Sequence, residues 1–288
     1  MPAPLPYLKM NGLGNDFVVL DARAGEILLS RRQIVAVSDR ENGIGCDQLI
    51  VMENDGLDGV DLFMRIYNAE GGEVDACGNA TRAIAGLVAG ETGADAVTIR
   101  TNAGILTARI HGDLVTADMG APRFAWDQIP LAEPFADTTG IELQIGPIDA
   151  PMLHTPSVVN VGNPHAIFWV DDLDAHDLQK FGPMLENHPI FPQRANITLA
   201  QVISDDRIRV RVWERGAGLT LACGTAACAT AVAAARKGLT GRTVTVELPG
   251  GPLAIEWRKT DDHILMTGPW ALDGNGIIPP ALLGEDAA

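Results

Sequence analysis

The sequence predicts an α+β protein made of two pseudo-symmetric domains from an internal duplication. Each is expected to be a barrel-like, mostly antiparallel sheet wrapped around a central helix, with the active site in the cleft between them. Three observations carry this. Ala-Cys-Gly occurs twice, at Ala76-Cys77-Gly78 and Ala222-Cys223-Gly224, and Cys77 and Cys223 stand 146 positions apart in a chain of 288 residues. Each copy opens a run rich in Ala with few charges. Most other recognisable segments are short and rich in branched residues, with Gly, Asn or Asp between them, which is how strands and turns read.

The pairing extends beyond the tripeptide. Asn79-Ala80-Thr81-Arg82-Ala83-Ile84-Ala85 lines up with Thr225-Ala226-Ala227-Cys228-Ala229-Thr230-Ala231, and Leu13-Gly14-Asn15-Asp16-Phe17 can be set beside Val161-Gly162-Asn163-Pro164-His165 at an offset of 148. Length prompts the same count, since domains average about 150 residues. The first domain is expected over residues 1–121 with a C-terminal return over 268–288, and the second over 122–267. The boundary falls near Gly120-Ala121-Pro122.

Taken in order, strands are expected over 17–21, 49–53, 62–67, 97–101 and 114–119, with a hairpin turn at His111-Gly112-Asp113. The second half repeats the style over 158–161, 166–170, 207–214, 243–248 and 253–257, with Pro249-Gly250-Gly251-Pro252 as a turn and a further strand near 264–267. Within 207–214 apolar and polar residues alternate strictly, so one face is buried and arginines line the other. Ser30-Arg31-Arg32-Gln33 resembles a capping box that opens a helix to about residue 38, and 177–186 forms another despite Gly182-Pro183. The two cysteine helices are expected over 78–89, ending near Gly90, and over 224–237, with Gly238 as C-cap.

Composition excludes several classes. With 37 acidic against 21 basic residues the formal charge is −16, which repels nucleic acid and anionic membrane. Met1-Pro2-Ala3-Pro4-Leu5-Pro6 lacks the basic flank and apolar core of a signal peptide, so a cytoplasmic protein is expected. Cys46, Cys77, Cys223 and Cys228 are too few for a disulfide scaffold and read as free thiols. No metal is expected, because Cys223 and Cys228 have no second Cys or His pair nearby. Lys9, Lys180, Lys237 and Lys259 are the only lysines, none in a Gly-rich phosphate loop, which argues against pyridoxal phosphate. No dinucleotide or Walker fingerprint occurs, so no cofactor is expected.

A helix N-terminus presents unpaired N–H groups and about half a positive charge, which favours a thiolate there and can draw a cysteine pKa down from ~8.5 to between ~3.5 and ~7.5. Two such thiols on opposite sides of a carbon acid suit stereoinversion: one removes the proton and the other delivers one to the opposite face. The backbone N–H groups of Gly78, Asn79, Gly224 and Thr225 would hold the carboxylate of an amino acid and strengthen as charge builds on it.

Five motifs then carry a family resemblance. Asn11-Gly12-Leu13-Gly14-Asn15-Asp16-Phe17, Gly45-Cys46-Asp47-Gln48, Asn68-Ala69-Glu70-Gly71-Gly72-Glu73 through Cys77-Gly78-Asn79, Gly162-Asn163-Pro164-His165, and Glu214-Arg215-Gly216-Ala217-Gly218 through Cys223-Gly224-Thr225 resemble the diaminopimelate epimerases, in order and over nearly the whole chain. The resemblance implies cofactor-free interconversion of LL- and meso-diaminopimelate in lysine and cell-wall precursor synthesis, by a homodimer. It implies that Cys77 and Cys223 are the acid-base pair and that Asn15 and Gln48 position the reacting end. Arg215 would pair with the distal carboxylate and Glu214 with the distal ammonium, while Asn68, Asn163 and Asn196 complete the hydrogen-bond cage. His165 and Glu214 would tune the thiols.

The chain departs from the commonest pattern at Gly72, where Ser is usual, at Ala80 and Ala226, where Gly is usual, and at Leu219, where an acidic residue is usual. Other readings stand beside this one. Ala-Cys-Gly alone also resembles the wider two-cysteine group, including proline and hydroxyproline racemases. A dithiol redox protein would pair low-pKa cysteines but usually through Cys-x-x-Cys, absent here. A non-catalytic amino-acid binding module would use the same Asn and Arg residues. Cys46 and Cys228 read as packing residues, and Asn15, Asn68, Asn163 and Asn196 each suit a turn.

Overall fold

The computed structural model describes residues 4–284 and divides the chain into two compact units, one running up to Ala117 and resuming at Pro269, the other Asp118–Gly268. The fold is α+β. The first unit contains β1 (Pro6–Gly12), β2 (Asn15–Ala22), α1 (Arg31–Ser38), β3 (Gln48–Glu53), β4 (Leu62–Asn68), β5 (Glu73–Val74), α2 (Gly78–Thr92), β6 (Ala96–Thr101), β7 (Gly104–His111) and β8 (Leu114–Asp118). The second contains β9 (Gln144–Ile145), β10 (Leu153–His154), β11 (Ser157–Asn160), β12 (Pro164–Trp169), a 3-10 turn at Leu173–Ala175, α3 (Leu178–Glu186), β13 (Asn196–Ser204), β14 (Arg207–Glu214), β15 (Gly218–Thr220), α4 (Gly224–Lys237), β16 (Thr243–Leu248), β17 (Gly251–Trp257) and β18 (Ile264–Pro269). The chain then returns through β19 (Ala271–Ile277), antiparallel to β1, and α5 (Pro280–Leu283).

In the first unit β2 and β3 explain why their sequences are unbroken apolar runs. Phe17, Val19, Ile50 and Met52 face one cluster, which holds Ala80, Ala83, Ile84 and Val88 of α2. Val18, Leu20, Leu49 and Val51 face another, with Ile34 and Val37 of α1. Side chains alternate across a strand, so a sheet covered by helices on both faces needs apolar residues at every position. The capping box at α1 forms as expected: Ser30 accepts from the Gln33 N–H while the Gln33 side chain accepts from the Ser30 N–H.

The second unit repeats the scheme. Helix α4 packs against β11, β12, β13, β14, β16 and β17. On the outer side Phe168, Ile197 and Leu199 pack with Leu178, Phe181 and Leu185 of α3. Along β14 Ile208, Val210 and Val212 are buried while Arg207 and Arg209 are exposed, the alternation its sequence requires. Most pairings are antiparallel; β2 with β3, β4 with β6, β12 with β13 and β14 with β16 are parallel.

Helix α4 has the bounds the sequence predicts, with Gly238 at φ 70° as C-cap. Helix α2 runs past Gly90. It ends at Thr92, and Gly93, at φ 74°, donates its N–H to Ala89 O. Gly90 keeps helical geometry, so the first glycine of a Gly-x-x-Gly pair was the wrong stop. Strands β1, β7, β13 and β19 are the largest elements the sequence reading omits. Prolines at the start of β1 and four polar or glycine positions in Leu-Asp-Gly-Asn-Gly of β19 conceal the strand character of those two.

Gly86 shows how tightly α2 is enclosed. A Cβ there would lie 2.2 Å from the Trp270 indole. Ala is favoured over Gly in a helix by about 1 kcal/mol, yet overpacking costs about 1–3 kcal/mol. Gly86→Ala is therefore expected to lower stability by about 1 kcal/mol in urea unfolding, and an unchanged or raised midpoint would show that the indole yields freely.

Candidate active site

In the first unit the candidate residues gather at one end of the sheet. The β1–β2 hairpin closes the Gly12–Asn15 pair through Leu13 and Gly14, both left-handed at φ 61° and 86°. A leucine rarely adopts that region, so the turn is strained, and it sets Asn15 at the first position of β2. Gln48 opens β3 opposite Asn68, which closes the antiparallel β4. Cys77 is the N-cap of α2, with extended φ −145° and ψ 112°. Its sulfur accepts from the Ala80 N–H at 3.5 Å and donates to Asn15 Oδ1 at 3.8 Å, and Asn79 Nδ2 donates to the same oxygen at 3.2 Å.

Gln48 and Asn68 stand differently. Gln48 Oε1 is buried with no hydrogen-bond partner. Asn68 Oδ1 accepts from the Glu70 and Gly72 N–H groups at 3.1 and 2.9 Å, so it builds the turn that precedes β5. A Cβ at Gly72 would approach the Asn68 amide to 3.3 Å.

The second unit gathers a comparable set. Asn163 sits in the turn between β11 and β12, where Gly162 is left-handed at φ 107°. His165 Nε2 lies 2.7 Å from Asn163 Oδ1, Asn163 Nδ2 donates to Thr225 Oγ1 at 3.4 Å, and Thr225 Oγ1 lies 3.5 Å from Cys223 Sγ. Cys223 is the N-cap of α4, at φ −132° and ψ 104°. Asn196 is buried and spends both ends of its amide on backbone, accepting from Arg215 N–H at 3.0 Å and donating to Pro164 O at 3.1 Å. Arg215 Nη1 donates to Gln193 O at 3.0 Å, and Thr220 Oγ1 donates to Glu214 Oε1 at 2.5 Å.

Electrostatics correct one expectation. Helix-start amides were expected to lower both thiols, but burial, and after it the neighbouring Glu214 carboxylate, push the Cys223 thiol well above the usual range. Only 3% of Cys223 is exposed. Desolvation penalises the thiolate more than the Thr225 hydroxyl and the Ala226 N–H stabilise it. His165 is fully buried, and burial together with the Arg215 charge lowers its pKa to about 3. It is therefore neutral at pH 7.

Three comparisons bear on this geometry. The family model described as "Diaminopimelate epimerase" matches residues 7–125 and 157–272. A diaminopimelate epimerase of Afipia carboxidovorans is 57% identical over 278 residues, 96% of each chain, and one of Rhodopseudomonas palustris is 55% identical over 98% of this chain and 97% of its own. The chain belongs to the diaminopimelate epimerase family. Among solved structures, a hydroxyproline epimerase from Agrobacterium vitis superposes with a TM-score of 0.69 at 12% identity, covering 96% of this chain and 93% of that one. A PhzC/PhzF protein from Clostridium difficile does so with 0.67 at 16%, covering 96% and 99%. At these identities they share the fold.

Within this epimerase-family chain, Ala80 and Ala226 are fully buried and suit the helix interior. Leu219 is exposed, opposite Trp213 on the β14–β15 ladder, and nothing in the structure explains it. Sequence reasoning missed Glu186. This buried carboxylate accepts from Trp213 Nε1 at 2.7 Å, Gly216 N at 2.9 Å and Arg194 Nη1 at 3.1 Å, and so anchors the loop that carries Arg215. Its signal was slight, a lone acidic residue ending an amphipathic helix. Asp47 and Arg82 were also missed, although both lie inside the quoted motifs or beside them.

His165 makes stability depend on pH. Its folded pKa of about 3 lies below the ordinary 6.5, so between those values the unfolded chain binds more protons and stability falls as the solution is acidified. The unfolding free energy of the native protein is expected to drop between pH 7 and pH 5 more steeply than that of His165→Gln. Equal slopes would mean that the imidazole is protonated without cost.

Proposed function

We propose that Cys77 and Cys223 are the two acid-base residues of a diaminopimelate epimerase. The reaction is the family's: interconversion of LL- and meso-diaminopimelate without a cofactor, as a step in lysine and peptidoglycan precursor synthesis. The observation that carries the assignment is that each thiol is the N-cap residue of a buried helix, where a sulfur lies among amides able to stabilise an anion. One thiolate removes the α-proton and the other thiol returns a proton to the opposite face. The roles exchange in the reverse direction.

The remaining residues take roles from their chemistry. In this reading the helix-start amides of Gly78, Asn79, Gly224 and Thr225 receive the carboxylate on which charge develops. Gln48 Oε1, a buried acceptor without a partner, suits the α-ammonium, and Asn15 orients the thiol. Arg215 supplies a planar fork for the distal carboxylate and Glu214 a counter-charge for the distal ammonium. Asn163 reaches the site through Thr225, whereas Asn68 and Asn196 act by shaping the backbone. His165, being neutral, acts as a hydrogen-bond donor. Glu214 tunes Cys223 upward, in the direction of the acid. We further propose a cytoplasmic homodimer. No helix among the described residues is long and apolar enough to cross a membrane.

Incubating LL-diaminopimelate with the protein in deuterium oxide is expected to show exchange of the α-proton and appearance of the meso isomer, with proline and hydroxyproline left unchanged. Cys77→Ala and Cys223→Ala should each abolish inversion. Inversion that survives either substitution would remove that cysteine from the mechanism. Arg215→Gln is expected to raise KM for diaminopimelate by roughly 100-fold, with a smaller change in kcat, because the distal carboxylate loses its charged partner. An unchanged KM would place the distal carboxylate elsewhere.

A further inference from the structure

Three hydrogen bonds beside Cys77 run in one direction. Arg82 Nη2 donates to Asn79 Oδ1 at 3.0 Å, Asn79 Nδ2 donates to Asn15 Oδ1 at 3.2 Å, and Asn15 Nδ2 donates to Asp47 Oδ2 at 3.1 Å. A primary amide has an acceptor at one end and a donor at the other, and both orientations fill nearly the same space. A guanidinium can only donate, and a carboxylate only accepts. With Arg82 at one end and Asp47 at the other, both amides in the middle have a single permitted orientation.

The ends are themselves fixed. Arg82 is fully buried on α2. Asp47 takes Arg40 on its second oxygen at 2.6 Å, accepts from the Asp16 N–H at 3.0 Å, and donates its own N–H to Asp16 Oδ1 at 3.0 Å. Asn15 therefore turns its oxygen, not its NH2, to Cys77 Sγ. An oxygen there accepts an S–H and repels a thiolate. The Ala80 N–H on the same sulfur favours the thiolate, so the two opposing contacts offset each other.

We propose that Asp47 and Arg82 are positioning residues that lock the Asn15 amide with its carbonyl toward Cys77, holding that sulfur between its thiol and thiolate forms. This rests on Cys77 being an acid-base residue. A group that must act as acid in one direction and base in the other cannot have either form strongly favoured. Asn163, the counterpart of Asn15 in the second unit, turns its NH2 toward Thr225 instead. The one-way chain is thus specific to the Cys77 half.

The charged groups tied to this chain or flanking Cys77 in sequence are Lys9, Asp16, Arg40 and Asp47, joined by salt bridges, Glu73 and Asp75 ahead of α2, and Arg82 within it. Charge and orientation make different predictions. Removing Asp47 would favour a nearby thiolate by charge, and removing Arg82 would disfavour it. Freeing the amides to turn favours the thiolate in both cases.

The test is the pH dependence of iodoacetamide alkylation of the full-length protein, read at Cys77 by peptide mapping. Asp47→Asn sets a donor against either Arg40 or Asn15, and Arg82→Met removes the donor to Asn79. Both are expected to lower the apparent Cys77 pKa by about one unit. Reaction on the acid side should then be about three-fold faster, since a lower pKa also reduces nucleophilicity. Asp16→Asn removes a charge from the same cluster while leaving all three side-chain hydrogen bonds of the chain and the Arg40 contact to Asp47 available, and should shift Cys77 by less than half as much. Shifts of opposite sign for Asp47→Asn and Arg82→Met, no shift in either, or equal shifts in Asp47→Asn and Asp16→Asn would overturn the proposal. If Arg82→Met does not fold, the comparison of Asp47→Asn with Asp16→Asn decides. Inversion surviving in Cys77→Ala would refute the acid-base reading instead, and alkylation would still report on the chain.

Discussion

A helix buried on every side carries mostly small side chains, the fully buried Arg82 and Ile84 of α2 apart, and that constraint shapes the rest of the fold. Of α2 and α4 nearly every residue from the first through the third turn is buried, and most are Ala, Gly, Thr or Val. Larger residues would force the surrounding strands apart. Enclosure also fixes where each helix begins, because its axial position is set by strands on several sides. The first residue outside the helix is then held as firmly as the core. In both units that residue is a cysteine in extended geometry, so the sulfur is placed by packing and not by a flexible loop.

The same constraint explains what the sequence revealed. Two Ala-rich runs behind Ala-Cys-Gly could only be enclosed helices, and the alternation in 207–214 could only be a half-buried strand; both followed from residue size and period. The strands that escaped had no such period. Strands β2 and β3, which the sequence does locate, are covered on both faces, so their apolar runs do not say what packs on which side. In β19 an aspartate and an asparagine stand at exposed positions, where burial imposes no pattern. Gly90 and Gly93 are chemically alike, and only the enclosure of α2 determines which one ends it.

The site was legible as residue types and illegible as roles. Asn is read as a turn former or as a ligand group from the same letter, and the structure divides the four. Asn15 contacts the thiol and Asn163 reaches it through Thr225. Asn68 and Asn196 hold backbone. Glu186 shows the opposite failure. A carboxylate that collects an indole, a guanidinium and a backbone N–H is defined by three partners from distant positions, and a linear reading contains none of those contacts.

Duplication gives two thiols with the same local backbone, yet a two-base inversion needs them in different protonation states at any moment. The two units differ where that requirement would act. Cys77 is half-buried, receives a helix amide on its sulfur, and faces the carbonyl of an amide clamped between an arginine and a carboxylate. Cys223 is buried beside Glu214, with a threonine hydroxyl on its sulfur. At Cys223, burial and the neighbouring Glu214 carboxylate both oppose ionisation. Sequence symmetry therefore supplies two equivalent scaffolds, and the residues around each sulfur break that symmetry.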